Sequence, residues 1–154
     1  MLKAATSLAV LLAALCVACG DSAEPPPAAS STVVVQVFKS PNCGCCEGWA
    51  DHMERNGFRV ETTNVRDLST IKRRHGVPAD GDSCHTALVE DYVVEGHVPA
   101  SDIERLLTER PAVRGLMVPG MPRGSPGMES PFPEPYTVYA FEDDGSRTAF
   151  SEHE

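Results

Sequence analysis

The spacing of apolar residues changes several times along the chain, and each change predicts an element. Val33-Val34-Val35-Gln36-Val37-Phe38 is a β-branched, nearly unbroken apolar run of strand length, which predicts a central strand buried on both faces. After a Ser40-Pro41-Asn42 turn, Cys46, Trp49, Ala50 and Met53 recur at helical spacing until Asn56-Gly57 stops the helix. Phe58, Val60 and Thr62 then alternate with Arg59, Glu61 and Thr63, the pattern of a second strand ending near Val65. Asp67 caps a short helix carrying Leu68 and Ile71, and Gly76-Val77-Pro78 ends it. Thr86 to Glu90 and Val93 to Val98 read as a β-hairpin turning around Asp91. Ser101-Asp102-Ile103-Glu104 has the form of a capping box opening a helix that Pro111 terminates. The order so far is βαβ, α, ββα. Residues 115–135, rich in glycine, proline and methionine, lack periodicity and predict a long loop. Tyr136 to Phe141 and Thr148 to Phe150 close the chain as a hairpin around Asp144-Gly145. The predicted class is α/β.

The first thirty residues follow a different pattern. Lys3 precedes an apolar run from Leu8 to Ala18 that is short for a permanent membrane helix, so residues 1–19 are expected to be a signal peptide. Val17-Ala18-Cys19-Gly20-Asp21 resembles a bacterial lipobox, with Cys19 as the residue to be lipidated, although Cys16 stands where leucine is usual. Cleavage near Ala18 or Ala23 without lipidation is the alternative, and both put the domain outside the cytoplasm. Residues 20–31 include Pro25-Pro26-Pro27-Ala28-Ala29 and form an extended tether, leaving 32–150 as one domain. The 154 residues carry 13 basic and 22 acidic side chains; losing Lys3 with the leader moves the net charge from -9 to -10. Such acidity argues against a nucleic-acid partner, and any membrane contact rests on the lipid.

Cysteine placement narrows the chemistry. Cys43, Cys45 and Cys46 fall at the start of the first helix, where free backbone N–H groups and the helix dipole favour thiolate. Thiols this close suit soft metal binding, while Cys43 and Cys46 also have the CxxC spacing of a redox dithiol. A framework of disulfides stapling distant loops fits adjacent cysteines poorly. The element order, with cysteines at the first strand–helix junction, resembles the thioredoxin fold over about residues 32–110. Thioredoxins carry a proline before the third core strand, facing the cysteines; here that stretch is Ser83-Cys84-His85-Thr86. If the topology holds, Cys84 and His85 reach the same helix end.

Other candidate ligands are weaker. A hairpin symmetric about Asp91 pairs His85 with His97, about 5 Å apart at Cβ; a one-residue slip would undo this, leaving His97 as a surface histidine near a strand end. Met117, Met121 and Met128 offer thioether sulfur, or simply packing. His52 lies about 10 Å along the helix from Cys45, too far to share one metal directly, and reads as a supporting or partly exposed polar residue. His75 reads as a helix-end histidine and His153 as tail; Trp49 and Phe58 read as core. Three sulfurs within four residues suit bridging of several soft ions, so Cu(I) leads and zinc follows, with an iron–sulfur cluster less suited to an exposed compartment.

Lys39-Ser40-Pro41-Asn42-Cys43-Gly44-Cys45-Cys46, the stretch from Trp49 to His52, Ser83-Cys84-His85-Thr86, Tyr92-Val93-Val94-Glu95-Gly96-His97-Val98-Pro99 and Val118-Pro119-Gly120-Met121-Pro122 through Ser125-Pro126-Gly127-Met128 resemble the CopG-like periplasmic copper-resistance family from about residue 33 to 141. The resemblance implies a thioredoxin-like fold that holds a small copper cluster through the CxCC cysteines, the Cys-His pair and nearby ligands. The expected metal set is Cys43, Cys45, Cys46, Cys84, His85 and His97, in a periplasmic, lipid-anchored protein that sequesters or handles Cu(I) and meets other periplasmic copper-handling proteins. Two alternatives stand beside it. One is a thiol–disulfide or copper-oxidising oxidoreductase using Cys43 and Cys46; the other is a structural zinc domain.

Overall fold

The β-branched run folds as strand β1 (Val34–Lys39), and the chain continues through α1 (Gly44–Arg55), β2 (Arg59–Asn64) and α2 (Leu68–Arg74). A single 3-10 turn (Ala79–Gly81) leads into β3 (His85–Val89), β4 (Tyr92–Glu95), α3 (Ala100–Glu109), β5 (Gly115–Met117), β6 (Tyr136–Phe141) and β7 (Arg147–His153). This computed structural model describes residues 32–154; the expected leader, the expected lipidation site Cys19 and the expected tether lie outside the described residues. The strands form one mixed sheet in the order β2-β1-β3-β4-β5-β6-β7. β1 and β2 are parallel, joined by the α1 crossover, whereas β3 runs antiparallel to β1 and β4 antiparallel to β3. The α/β class and the βαβ-α-ββα order are therefore present, followed by the expected loop and hairpin.

Two apolar layers hold the sheet. On one face Val35, Val37, Ala87 and Val94 pack with Trp49 and Met53 of α1 and Ile103 and Leu106 of α3. On the other, Val93, Met117 and Phe141 make a smaller cluster. The sequence expectation that β1 is buried on both faces is not met: Gln36 is exposed and Val34 and Phe38 are half-buried. The reason is length. The seven-residue α2 covers only the end of β1, where Phe38 stacks on His75 at the helix C-terminus.

Three other expectations are corrected. The first three residues of the predicted 115–135 loop form β5, parallel to β4, and pack Met117 into the second cluster. Gly115 permits this approach, since a Cβ there would sit 1.8 Å from the Val93 carbonyl oxygen. A three-residue strand is too short to announce itself by periodicity. The Ser101 capping box does not form either: α3 opens two residues earlier, with Pro99 in place of Ser101 as its N-cap, and the Ala100 N–H donates to His52 Nε2 at 3.1 Å. Asp102, buried in the first turn of α3, accepts from His153 Nε2 at 2.8 Å. His153, read as tail, is the last residue of β7 and stacks on Tyr136.

The β3–β4 hairpin is shifted by one residue from the symmetric pairing. Thr86 pairs with Glu95 and Val89 with Tyr92, so the turn is Glu90-Asp91 rather than Asp91 alone, and His85 lies opposite Gly96. His97 still comes to the His85 face, their ring centroids 5.1 Å apart. Gly96 supplies the device. Its φ of +74° interrupts the alternation of side chains after Glu95. A Cβ at this position would come 2.5 Å from Ser83 Oγ and 2.7 Å from the Val118 carbonyl oxygen. Gly96→Ala is therefore expected to destabilise the protein by about 2 kcal/mol or more, from left-handed strain plus overpacking. A denaturant midpoint equal to that of the parent would contradict this.

Candidate metal centre

The site begins where β1 ends. Lys39, fully buried, turns its ammonium back to Glu47 in the first turn of α1 at 2.6 Å and to the Ser40 carbonyl at 3.2 Å, which fixes the intervening loop. Cys43 is the N-cap of α1, Cys45 is half-buried and Cys46 is completely buried. Cys43 and Cys46 are joined as a disulfide, whereas the helix N-terminus alone predicts two thiolates. Cys45 and Cys84 are the free thiols among the described residues.

Cys84 is the hub. Its Sγ lies 3.7 Å from Cys45 Sγ, 3.5 Å from Cys46 Sγ, 3.5 Å from His85 Nδ1 and 2.9 Å from His97 Nε2; Cys43 and Cys45 sulfurs are 3.4 Å apart. Two overlapping groups result, Cys43/Cys45/Cys46/Cys84 and Cys84/His85/His97, with ligand atoms in each within 4.8 Å of one another. All six residues named from the sequence are thus brought together.

Charge states follow from the surroundings. The Pro126 carbonyl accepts from His97 Nδ1 at 2.7 Å, which leaves the Nε2 lone pair facing Cys84 and makes the thiol the donor. Burial, then the neighbouring Cys45, pushes the Cys84 thiol up to about 12. Burial also holds His97 below the usual imidazole range. His85, enclosed against Trp49 at 4.5 Å between centroids, is pushed well below that range by burial first and then by His97 and Lys72. Its Nε2 has no hydrogen-bond partner among the described residues, an uncommon condition for a buried polar atom. A cluster of neutral imidazoles and thiols, one nitrogen unpaired, is a donor set suited to a soft cation that displaces thiol protons.

Supporting residues escaped the sequence reading. Glu95, completely buried, accepts from the Ser83 N–H at 2.8 Å and Thr86 Oγ1 at 2.6 Å, and pairs with Lys72. The one available signal is a lone acid in the otherwise apolar run Tyr92-Val93-Val94-Glu95. Across the site, Gly127 packs backbone to backbone on α1: a Cβ there would meet the Cys45 carbonyl oxygen at 2.4 Å, and Gly48 faces it. The Pro126-Gly127 stretch of the loop is thereby laid against the helix and aims the Pro126 carbonyl at His97. The Trp49 indole donates to the Val98 carbonyl at 2.8 Å and ties α1 to the chain just beyond His97.

The remaining candidates separate. Met117 is core in β5, Met121 is half exposed and Met128 is half-buried. His52, half-buried, is the partly exposed polar residue that the sequence allowed, and its Nε2 accepts from the first N–H of α3. His75 caps the C-terminus of α2, as its position predicted.

Residues 81–128, which include Cys84, His85 and His97, match a family described as a protein of unknown function, DUF411. No curated protein sequence matches the chain. Among solved structures, the copper resistance protein CopG in its form 1 shares 42% identity, covering 79% of this chain and 98% of its own, with a TM-score of 0.75. Form 2 gives 42% identity over 80% and 99%, with a TM-score of 0.76. With that identity extending over nearly the whole of those chains, the protein belongs to the CopG family of copper-resistance proteins.

Proposed function

We propose that this protein binds copper, as Cu(I), outside the cytoplasm and thereby contributes to copper resistance. The observation that carries the reading is Cys84 at the junction of a four-sulfur group and a two-imidazole group. The relatives named as copper resistance proteins support copper as the cargo, and the soft donor set supports the cuprous state. The reduced site offers Cys43, Cys45, Cys46, Cys84, His85 and His97. An external dithiol opens the Cys43–Cys46 disulfide by exchange, becoming a disulfide itself as it passes two electrons and two protons to give two thiols; copper then displaces thiol protons, Cys84–SH included. The order β2-β1-β3-β4, with α1 crossing between parallel β1 and β2, supports the thioredoxin-like reading. Periplasmic placement and a lipid on Cys19 follow from the leader pattern and belong to the same proposal, as does exchange of copper with other periplasmic copper-handling proteins.

A second reading is favoured by the disulfide itself. Free Cys45 and Cys84 sulfurs lie 3.4 and 3.5 Å from the bonded Cys43 and Cys46 sulfurs, so thiols flank both ends of a disulfide. In a thiol–disulfide oxidoreductase the reduced Cys43 would attack a partner's disulfide and Cys46 would resolve the mixed species, ending as the bond seen here.

Three outcomes are expected. Protein reduced and loaded anaerobically should hold at least one Cu(I) per chain by metal analysis, and Cys84→Ser should lower that content; less than one copper, or no effect of the substitution, eliminates the copper-cluster reading. The oxidoreductase reading requires disulfide-reductase turnover that disappears in Cys43→Ser, and absence of turnover removes it. The third concerns the metal-free, disulfide-bonded protein. His85 and His97 have depressed pKa values in the fold, so around and below the ordinary value of 6.5 the unfolded chain binds more protons and folding stability decreases as the pH is lowered. The urea midpoint should drop between about pH 7.5 and about pH 5.5, whereas a constant midpoint would mean that these imidazoles are not held neutral.

A further inference from the structure

The segment that delivers Cys84 has no helix or strand of its own: it lies between the 3-10 turn ending at Gly81 and the start of β3 at His85. Its position is set from below by a buried ionic group. Glu95 Oε1 receives the Ser83 N–H at 2.8 Å and pairs with the Lys72 ammonium, while Oε2 receives the Thr86 hydroxyl at 2.6 Å. Lys72 in turn donates to the Ser83 carbonyl at 2.9 Å and lies 2.8 Å from Asp82 Oδ1. The residue before Cys84 is therefore clamped at both its amide and its carbonyl. Each Glu95 oxygen and each Lys72 proton has a partner, the condition under which a buried ion pair specifies one geometry.

Resting on the copper-binding reading above, we propose that Glu95 is the positioning residue of the centre: through the Ser83 amide its carboxylate fixes Cys84 as the sulfur shared by the cysteine and histidine groups. Its carboxylate contacts Lys72, Ser83 and Thr86; its influence passes through the backbone one residue from the ligand. Three hydrogen-bonded partners across three elements make Glu95 more than filler for β4: α2 contributes Lys72, the Cys84 segment Ser83, and β3 Thr86. Without the amide acceptor, Cys84 can leave the His97 Nε2 contact without disturbing α1, which carries its own cysteines independently.

The test compares substitutions in the full chain. Lys72→Met with Glu95→Met removes both buried charges and the amide acceptor; Lys72→Met with Glu95→Gln removes the charges and keeps an acceptor. Ser83→Pro removes the amide hydrogen with the buried pair intact, and Ser83→Ala removes only the hydroxyl. In the metal-free protein, alkylation of Cys84 relative to Cys45, resolved by peptide mass spectrometry, is expected to rise on the order of tenfold in the Met/Met and Ser83→Pro proteins. The Met/Gln and Ser83→Ala proteins should stay near the parent. Cu(I) affinity, read by competition with a chromophoric chelator, should fall about 10- to 100-fold in the first two and little in the others. Should Met/Met fail to fold by near-UV circular dichroism, the two Ser83 proteins decide the matter. Equal Cys84-to-Cys45 ratios in Ser83→Pro and parent overturn the proposal. The labelling requires no copper, so a parent that binds none defeats the copper reading while leaving the positioning of Cys84 to be judged on its own result.

Discussion

The antiparallel pairing of β3 with β1 is the constraint on which the site depends. Pairing in this sense puts the first residue of β3 beside the last residue of β1, and His85 does lie in register with Lys39. The chain leaves β1 at that point to start α1, so the sequence just before β3 meets the helix N-terminus with no further device. Cys84 arrives opposite Cys45 and Cys46 for this reason, across 38 or 39 positions of sequence. Gly96 completes the convergence by turning His97 out of the β4 alternation and onto the same face.

Bringing polar groups to this end of the sheet requires burying several of them, and the fold treats them in two ways. Lys39, Lys72, Glu95 and Thr86 are buried with hydrogen-bond or ionic partners, which offsets the desolvation each incurs. His85 is buried without a partner at Nε2 among the described residues, and Cys84 is kept protonated by its surroundings. Rigid support therefore surrounds a centre whose own donors are incompletely satisfied. That contrast separates residues that position the centre from residues that would bind at it.

The two proposed chemistries draw on the same sulfurs. Cys43 and Cys46 can be joined to each other or offered to a metal, and the geometry places free thiols against both bonded sulfurs. α1 presents all three of its cysteines within four residues, so in the proposed copper-binding reading opening the disulfide is what frees them. On the sheet side, the residue before Cys84 is held by Glu95 at its amide and by Lys72 at its carbonyl.

Hydrophobic period and local turn chemistry were enough to read most of the elements: the strand at Val34–Lys39, the helix stopped at Asn56-Gly57, the Asp67 cap and the closing hairpin all depend on near neighbours in sequence. The density of cysteines in Cys43-Gly44-Cys45-Cys46 likewise announced soft-sulfur chemistry, and Cys84-His85 could be drawn to it once the strand order was assumed. The one-residue position of the β3–β4 turn, the strand at Gly115–Met117, the capping of α3 by His52 and the clamp of Glu95 on Ser83 were not legible. Each turns on atoms brought together from distant parts of the chain: a missing Cβ beside a carbonyl, an imidazole reaching a helix end, a carboxylate accepting a remote amide. Local pattern fixes which residues can be donors, ligands or core, because propensity and period act over a few residues. Which of them meet, in which register and protonation state, is decided by packing and burial, which exist only once the sheet is assembled.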